Sequence, residues 1–180
     1  MVGLAVDYLT RFMSGASPQE AFEISLRGAS NLGEDALAAK LLAEVKGLED
    51  SSITNAIKLT RFDVYYQAGL GYKQVSEIKP YQATIQNVRT MVERSLHFFE
   101  VYGPKLLDGF TFEGGYTDTV SKGAGDLTTA DTLWDFKVSK AKVKKEYTLQ
   151  LLMYWRMGFH SVHPEFQSIK YLGIYNPRLN

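Results

Sequence analysis

A glycine–proline step, Gly103-Pro104, divides this chain into two stretches of different periodicity, and any fold must satisfy both. Before it, apolar residues recur at the three- and four-residue spacing of helices with one buried face. After it, Thr, Val, Phe and Gly crowd the segment "GFTFEGGYTDTVSKGAGDLTTADTLWDFKVSK", which has little helical period. That composition predicts strands joined by tight turns.

Within the first stretch, "VDYLTRFM" is followed by "SGASPQEAFEISLRGAS", where Ser17, Pro18 and Glu20 supply an N-cap, an N1 proline and an N3 glutamate. A further helix, "GEDALAAKLLAEVKGL", has Gly47 as its stop, and "SSITNAIKLTRFDVYYQAGL" closes at Gly69. A loop or short extended piece holding Pro80 leads to the long helix "ATIQNVRTMVERSLHFFEVYG". In the second stretch, three strand segments precede a lysine-rich connection and the helix "EYTLQLLMYWRMGF", which Gly158 weakens or ends. The strand "SIKYLGIYNP" comes last, closed by Pro177. This order predicts an α/β (α+β) fold in one domain, residues 1–180, with a mainly helical region over 1–103 packed on a core over 104–180.

A chain of 180 residues can bury a substantial core, and 45 % hydrophobic with 22 % charged residues is a globular composition. Lys+Arg and Asp+Glu each total 20, so net charge gives no hint of nucleic acid, although a local basic patch stays open. With no cysteine, a disulfide framework and a thiolate metal site are excluded, which fits a cytoplasmic location. "MVGLAVDYLTRFM" carries Asp7 and Arg11 and lacks the charge pattern of a signal peptide. The longest apolar run near a helix, "LLMYW", is too short to cross a bilayer, so no membrane partner is expected. The chain stops at "YNPRLN", straight after a strand-like run, as a truncated chain would. Phosphate-loop, nucleophile-elbow and dinucleotide fingerprints are missing from the sequence. "HSVH" lacks the glutamate of a zinc-binding helix, so His160 and His163 read as surface or core residues.

"DTLWDFKVSK", residues 131–140, carries the chemistry. In a strand, Leu133, Asp135 and Lys137 share one face while Trp134, Phe136 and Val138 share the other. The aromatic face is core; the charged face needs a purpose. Asp126, in "GAGDL", lies nine positions before Asp135, enough for a short strand and a turn back into the next strand. Two carboxylates held side by side repel unless a cation sits between them, and hard oxygen ligands suit Mg²⁺ or Mn²⁺. An ammonium such as Lys137 can then orient the attacking water or stabilise charge on a phosphate. Gln150 and Tyr154, four apart on the next helix, lie on one face and can support that lysine, a water or a nucleic-acid backbone. Lys140, Lys142, Lys144 and Lys145 either grip phosphates beside such a site or form a solvated loop. Phe98, Phe99, Tyr102, Phe110 and Phe112 read as core.

Asp126, then "DFK" at 135–137, then "QLLMY" at 150–154 resembles the PD-(D/E)XK nuclease superfamily, in particular its RecB-type branch. That branch carries Gly-x-x-Asp, (Asp/Glu)-x-Lys and Gln-x-x-x-Tyr in this order, and the likeness covers roughly the last 70 residues. It implies a restriction-endonuclease-like core, a mixed sheet flanked by helices, of bacterial or phage origin. It further implies dependence on Mg²⁺ and cleavage of DNA, double- or single-stranded, with room for a homo-oligomer. Asp126 and Asp135 would be the metal ligands, Lys137 the catalytic lysine, and Gln150 with Tyr154 the supporting pair. Gly-x-x-Asp occurs twice, ending at Asp118 and at Asp126. Asp126 is preferred because "GAGDL…DTLWDFKVSK" also resembles a "DADLI…DTLIDIKTTK"-like block of uncharacterised bacterial proteins. Glu93 is the candidate for an acidic residue on a preceding helix. The alternative is a nuclease-fold protein without catalysis, binding nucleic acid or a protein partner in a phage or defence system.

Overall fold

The structure is a computed structural model that describes residues 1–68 and 74–179, without the side chains of Gln67 and Ala68. It forms two compact units, Met1–Leu96 and His97–Asn180. The sequence reads as one domain with its change of character at residue 103. The division between the two compact units falls inside a continuous helix, Gln82–Tyr102, whose last turns belong to the second unit. Helical periodicity runs unbroken through that point, so it leaves no mark in the pattern.

The first unit contains α1 (Val2–Met13), α2 (Pro18–Ala21), α3 (Glu23–Asn31), α4 (Asp35–Ala43), α5 (Asp50–Ala68) and most of α6 (Gln82–Tyr102). The capping box forms as expected: Glu20 N–H donates to Ser17 Oγ at 3.2 Å, and Ser17 N–H donates to Glu20 Oε2 at 2.9 Å. The helix it starts breaks at Phe22, whose ring is fully buried and meets Tyr8 edge-on. The helix expected to stop at Gly47 ends earlier, at Ala43. Ser52 explains this: its Oγ accepts from Lys46 N–H and donates to the Glu44 carbonyl, satisfying the backbone past the helix end. The expected stop at Gly69 lies outside the described residues. Leu9, Phe22, Ile53, Phe62, Val88 and Val92 build this unit's core. No helix among the described residues is long and apolar enough to cross a membrane.

α6 ends at Gly103, which adopts φ +92° and donates its N–H to the Phe99 carbonyl, the left-handed cap that glycine takes without steric cost. The second unit then runs β1 (Leu107–Thr111), β2 (Ala124–Thr128), β3 (Thr132–Phe136), α7 (Lys145–Phe159), a short 3₁₀ turn (Pro164–Ser168) and β4 (Tyr171–Tyr175). The sheet order is β1-β2-β3-β4. β1–β2 and β2–β3 pair antiparallel while β3–β4 pair parallel, with α7 in the crossover. The expected α+β class and mixed sheet are therefore present.

β3 behaves as its alternation requires. Trp134 and Phe136 pack against Phe98 at centroid distances of 4.7 and 5.0 Å, and Phe136 meets Tyr175 on β4 at 5.0 Å. Leu133, on the other face, is fully buried in a cluster with Phe110, Phe112, Leu151, Met157 and Phe166. Gly173 and Gly158 both allow close approach of an aromatic ring. A Cβ on Gly173 would stand 2.2 Å from the Trp134 indole, and one on Gly158 would stand 2.0 Å from the Phe166 ring. Gly158 thus sits inside α7, one residue before its end at Phe159, because it makes room for Phe166. Of the aromatics expected in the core, Phe98, Phe110 and Phe112 are buried, whereas Tyr102 is half-exposed.

Candidate metal and nuclease centre

Asp126 and Asp135 face each other across β2 and β3. The ladder pairs Thr128 with Leu133 and Leu127 with Trp134. One step further opposes Asp126 to Asp135, and directly opposed residues in an antiparallel pair project on the same side of the sheet. The regular ladder stops before that step. A continuing ladder would give the Phe136 N–H to the Gly125 carbonyl; it goes instead to Asp126 Oδ2, at 2.7 Å. The aspartate side chain thus replaces a main-chain acceptor and is fixed beside the end of β3.

Asp135 is 4 % exposed. Its Oδ1 accepts from Lys137 Nζ at 2.7 Å, while its Oδ2 is buried and has no hydrogen-bond partner among the described residues. An ionised carboxylate with one oxygen in that state is costly. Burial accordingly pushes the Asp135 carboxyl above the ordinary aspartate range, against the opposing hydrogen bond and charge of the Lys137 ammonium.

Lys137 follows the last residue of β3, and its N–H still donates to the Tyr175 carbonyl at 2.9 Å, so β4 holds the root of the side chain. The ammonium also reaches Gln150 Oε1 at 3.4 Å, and Gln150 Nε2 donates to Tyr154 OH at 3.0 Å. The Tyr154 ring packs on Phe112 with centroids 4.8 Å apart, so the far end of this chain of bonds is anchored in the core. Asp135, Lys137, Gln150 and Tyr154 form one connected polar line, and Asp126 stands beside its start.

The other candidates are not members of this line. Asp118, the alternative end of a Gly-x-x-Asp, is exposed in the β1–β2 connection. Glu93 is exposed on α6 and belongs to the first unit. Lys140, Lys142 and Lys144 are exposed in the loop that leaves Lys137, and Lys145 is exposed at the first residue of α7. His163 Nε2 donates to the Thr111 carbonyl at 2.9 Å, a structural bond.

One residue next to the line went unnoticed in the sequence. Tyr147, in the first turn of α7, places its ring centroid 5.3 Å from Lys137 Nζ. The signal was available: Tyr147, Gln150 and Tyr154 are spaced i, i+3 and i+7, one stripe of a helix.

Two carboxylates are enough for Mg²⁺, which binds through one or two of them and keeps several waters. They are fewer than a dedicated protein cage requires, and no group of three or more His, Cys, Asp and Glu side chains suited to a metal occurs among the described residues. The buried oxygen of Asp135 and the Asp126 carboxyl at its side fit a hard divalent cation. No family model, curated protein or solved structure matches this chain.

Proposed function

We propose that this chain is a metal-dependent nuclease that hydrolyses phosphodiester bonds of DNA, built on a restriction-endonuclease-like core. The observation that carries this reading is that Asp126 and Asp135 stand one step beyond the last paired residues, Leu127 and Trp134, of two antiparallel strands, with Lys137 held between Asp135 and Gln150. That arrangement joins all three motifs of the PD-(D/E)XK resemblance in one place.

Asp126 and Asp135 would hold Mg²⁺ or Mn²⁺, which when bound polarises the phosphate and lowers the pKa of a water. Binding there also supplies a partner for the buried Asp135 Oδ2. Lys137 directs its ammonium to the attacking water or to the charge that develops on the phosphate. Gln150 fixes the ammonium through Oε1, and Tyr154 fixes the orientation of the Gln150 amide. The exposed Lys140, Lys142, Lys144 and Lys145 supply contacts to phosphates flanking the scissile bond.

The test is incubation of pure protein with linear, circular and single-stranded DNA, in Mg²⁺ or in EDTA. Metal-dependent cleavage that disappears in Asp135→Ala and Lys137→Ala supports the enzyme. Binding without cleavage, unchanged in those variants, assigns the chain to the non-catalytic alternative. Cleavage of closed circles separates an endonuclease from an exonuclease, and a parallel RNA substrate sets the nucleic-acid class.

A further inference from the structure

We infer that Tyr147 is a positioning residue for Lys137, with the face of its ring holding the ammonium in line with Asp135 and Gln150. This role rests on reading Lys137 as the catalytic lysine of the proposed nuclease.

Lys137 is a long side chain on the last residue fixed by the sheet, and it remains 25 % exposed. Left to itself such a side chain samples many rotamers. Asp135 Oδ1 at 2.7 Å and Gln150 Oε1 at 3.4 Å constrain it from one side each. The Tyr147 ring, half-buried and with its centroid 5.3 Å from the ammonium, adds a third boundary. That distance lies within the reach of a cation–π attraction.

The chemistry of an aromatic wall suits this place. An ammonium has three N–H donors. Asp135 and Gln150 accept from two of them. A third carboxylate or carbonyl would occupy the last donor, whereas a ring attracts the charge through its π face and leaves that donor free for a water or a phosphate oxygen. The helix supplies this wall at no extra cost in register, since Tyr147, Gln150 and Tyr154 occupy one stripe of α7.

The experiment uses the whole chain with its lysines ¹³C-labelled at the ε carbon, and the Lys137 signal assigned by its loss in Lys137→Arg. In metal-free protein the Lys137 ε-methylene protons are expected upfield of the other lysines except Lys105, whose ammonium lies 5.3 Å from the Phe99 ring centroid, and the shift is due to the Tyr147 ring current. Tyr147→Phe keeps the shift and wild-type kcat. Tyr147→Leu removes the shift and lowers kcat about three- to tenfold while KM for DNA is unchanged. A Lys137 signal at the ordinary lysine position in the wild type overturns the proposal, as does full kcat in Tyr147→Leu. If the wild type cleaves nothing, the nuclease reading fails, and the ring-current shift still decides whether Tyr147 holds Lys137. Should Tyr147→Leu fail to fold, the wild-type and Tyr147→Phe spectra decide it alone.

Discussion

The Phe136 backbone N–H donates to Asp126 Oδ2 at 2.7 Å, so a side chain of β2 terminates the main-chain ladder between β2 and β3. In the proposed nuclease, Asp126 therefore carries two duties that substitution can separate. Asp126→Asn keeps an acceptor for Phe136 and loses a metal ligand; Asp126→Ala loses both. Both variants are expected to abolish cleavage, while Asp126→Ala alone loses about 1 kcal/mol in urea unfolding. Equal stability in the two variants would show that the bond to Phe136 contributes nothing.

Asp135 predicts a stability that depends on pH in a definite sense. Burial raises its carboxyl pKa in the folded chain, so the folded state binds the proton more tightly than the unfolded state. That stabilisation is complete below the unfolded aspartate value of about 4 and is lost as pH rises through the folded value. In EDTA, the Tm of Asp135→Asn minus that of the wild type should grow as pH is raised from about 4. A flat difference would show that folding leaves this carboxyl's proton affinity unchanged, and a shrinking one that folding lowers it.

Metal binding should appear as a thermal shift. Mg²⁺ at about a hundredfold excess over its Kd stabilises a folded state that alone binds it by roughly 2.7 kcal/mol. The wild type is expected to gain several degrees in Mn²⁺ or Mg²⁺, reversed by EDTA. Asp126→Asn and Asp135→Asn should gain none. A gain retained in both variants would move the metal elsewhere.

The four lysines beside the site predict a salt-dependent grip on DNA. Each phosphate contact contributes a slope of about −0.9 in log K against log salt on duplex DNA. Replacing Lys140, Lys142, Lys144 and Lys145 together with alanine should weaken duplex binding and make the slope shallower by roughly 2 to 4. An unaltered slope, measured by fluorescence anisotropy with Ca²⁺ in place of Mg²⁺, would return these lysines to a merely solvated loop.

Gly173 offers a check on packing that involves no chemistry. A methyl there would stand 2.2 Å from the Trp134 indole, against a central strand that cannot recede. Gly173→Ala should destabilise by about 1–3 kcal/mol, read from denaturant midpoints at constant m.

The parts of this structure written in local pattern were legible in the sequence. Ser17 and Glu20 cap a helix as their spacing demands, and Trp134 and Phe136 separate from Leu133 and Asp135 by the two-residue period of a strand. The eight residues between Asp126 and Asp135 become the end of β2, a tight turn at Thr129–Asp131 and most of β3. What escaped detection depends on tertiary contact. Ser52, distant from Ala43, decides where α4 ends. Tyr147 gains a role only because the β3 terminus brings Lys137 beneath it. The unit boundary after Leu96 is invisible because one helix, with one unbroken period, serves both sides.

Tyr116 has a consequence for how this chain can change. Its hydroxyl accepts from the Phe112 N–H at 3.2 Å and donates to the Gly123 carbonyl at 2.8 Å, tying the end of β1 to the start of β2. Beyond that staple Thr117 N–H closes onto the Val120 carbonyl and Val120 packs on the core, so the exposed tip is confined to Thr117, Asp118 and Thr119. Lengthening the tip, or grafting a foreign peptide into it, should leave the two carboxylates where they are. This hairpin is thus the place where a lineage could acquire new recognition elements without disturbing the residues that would do the cutting.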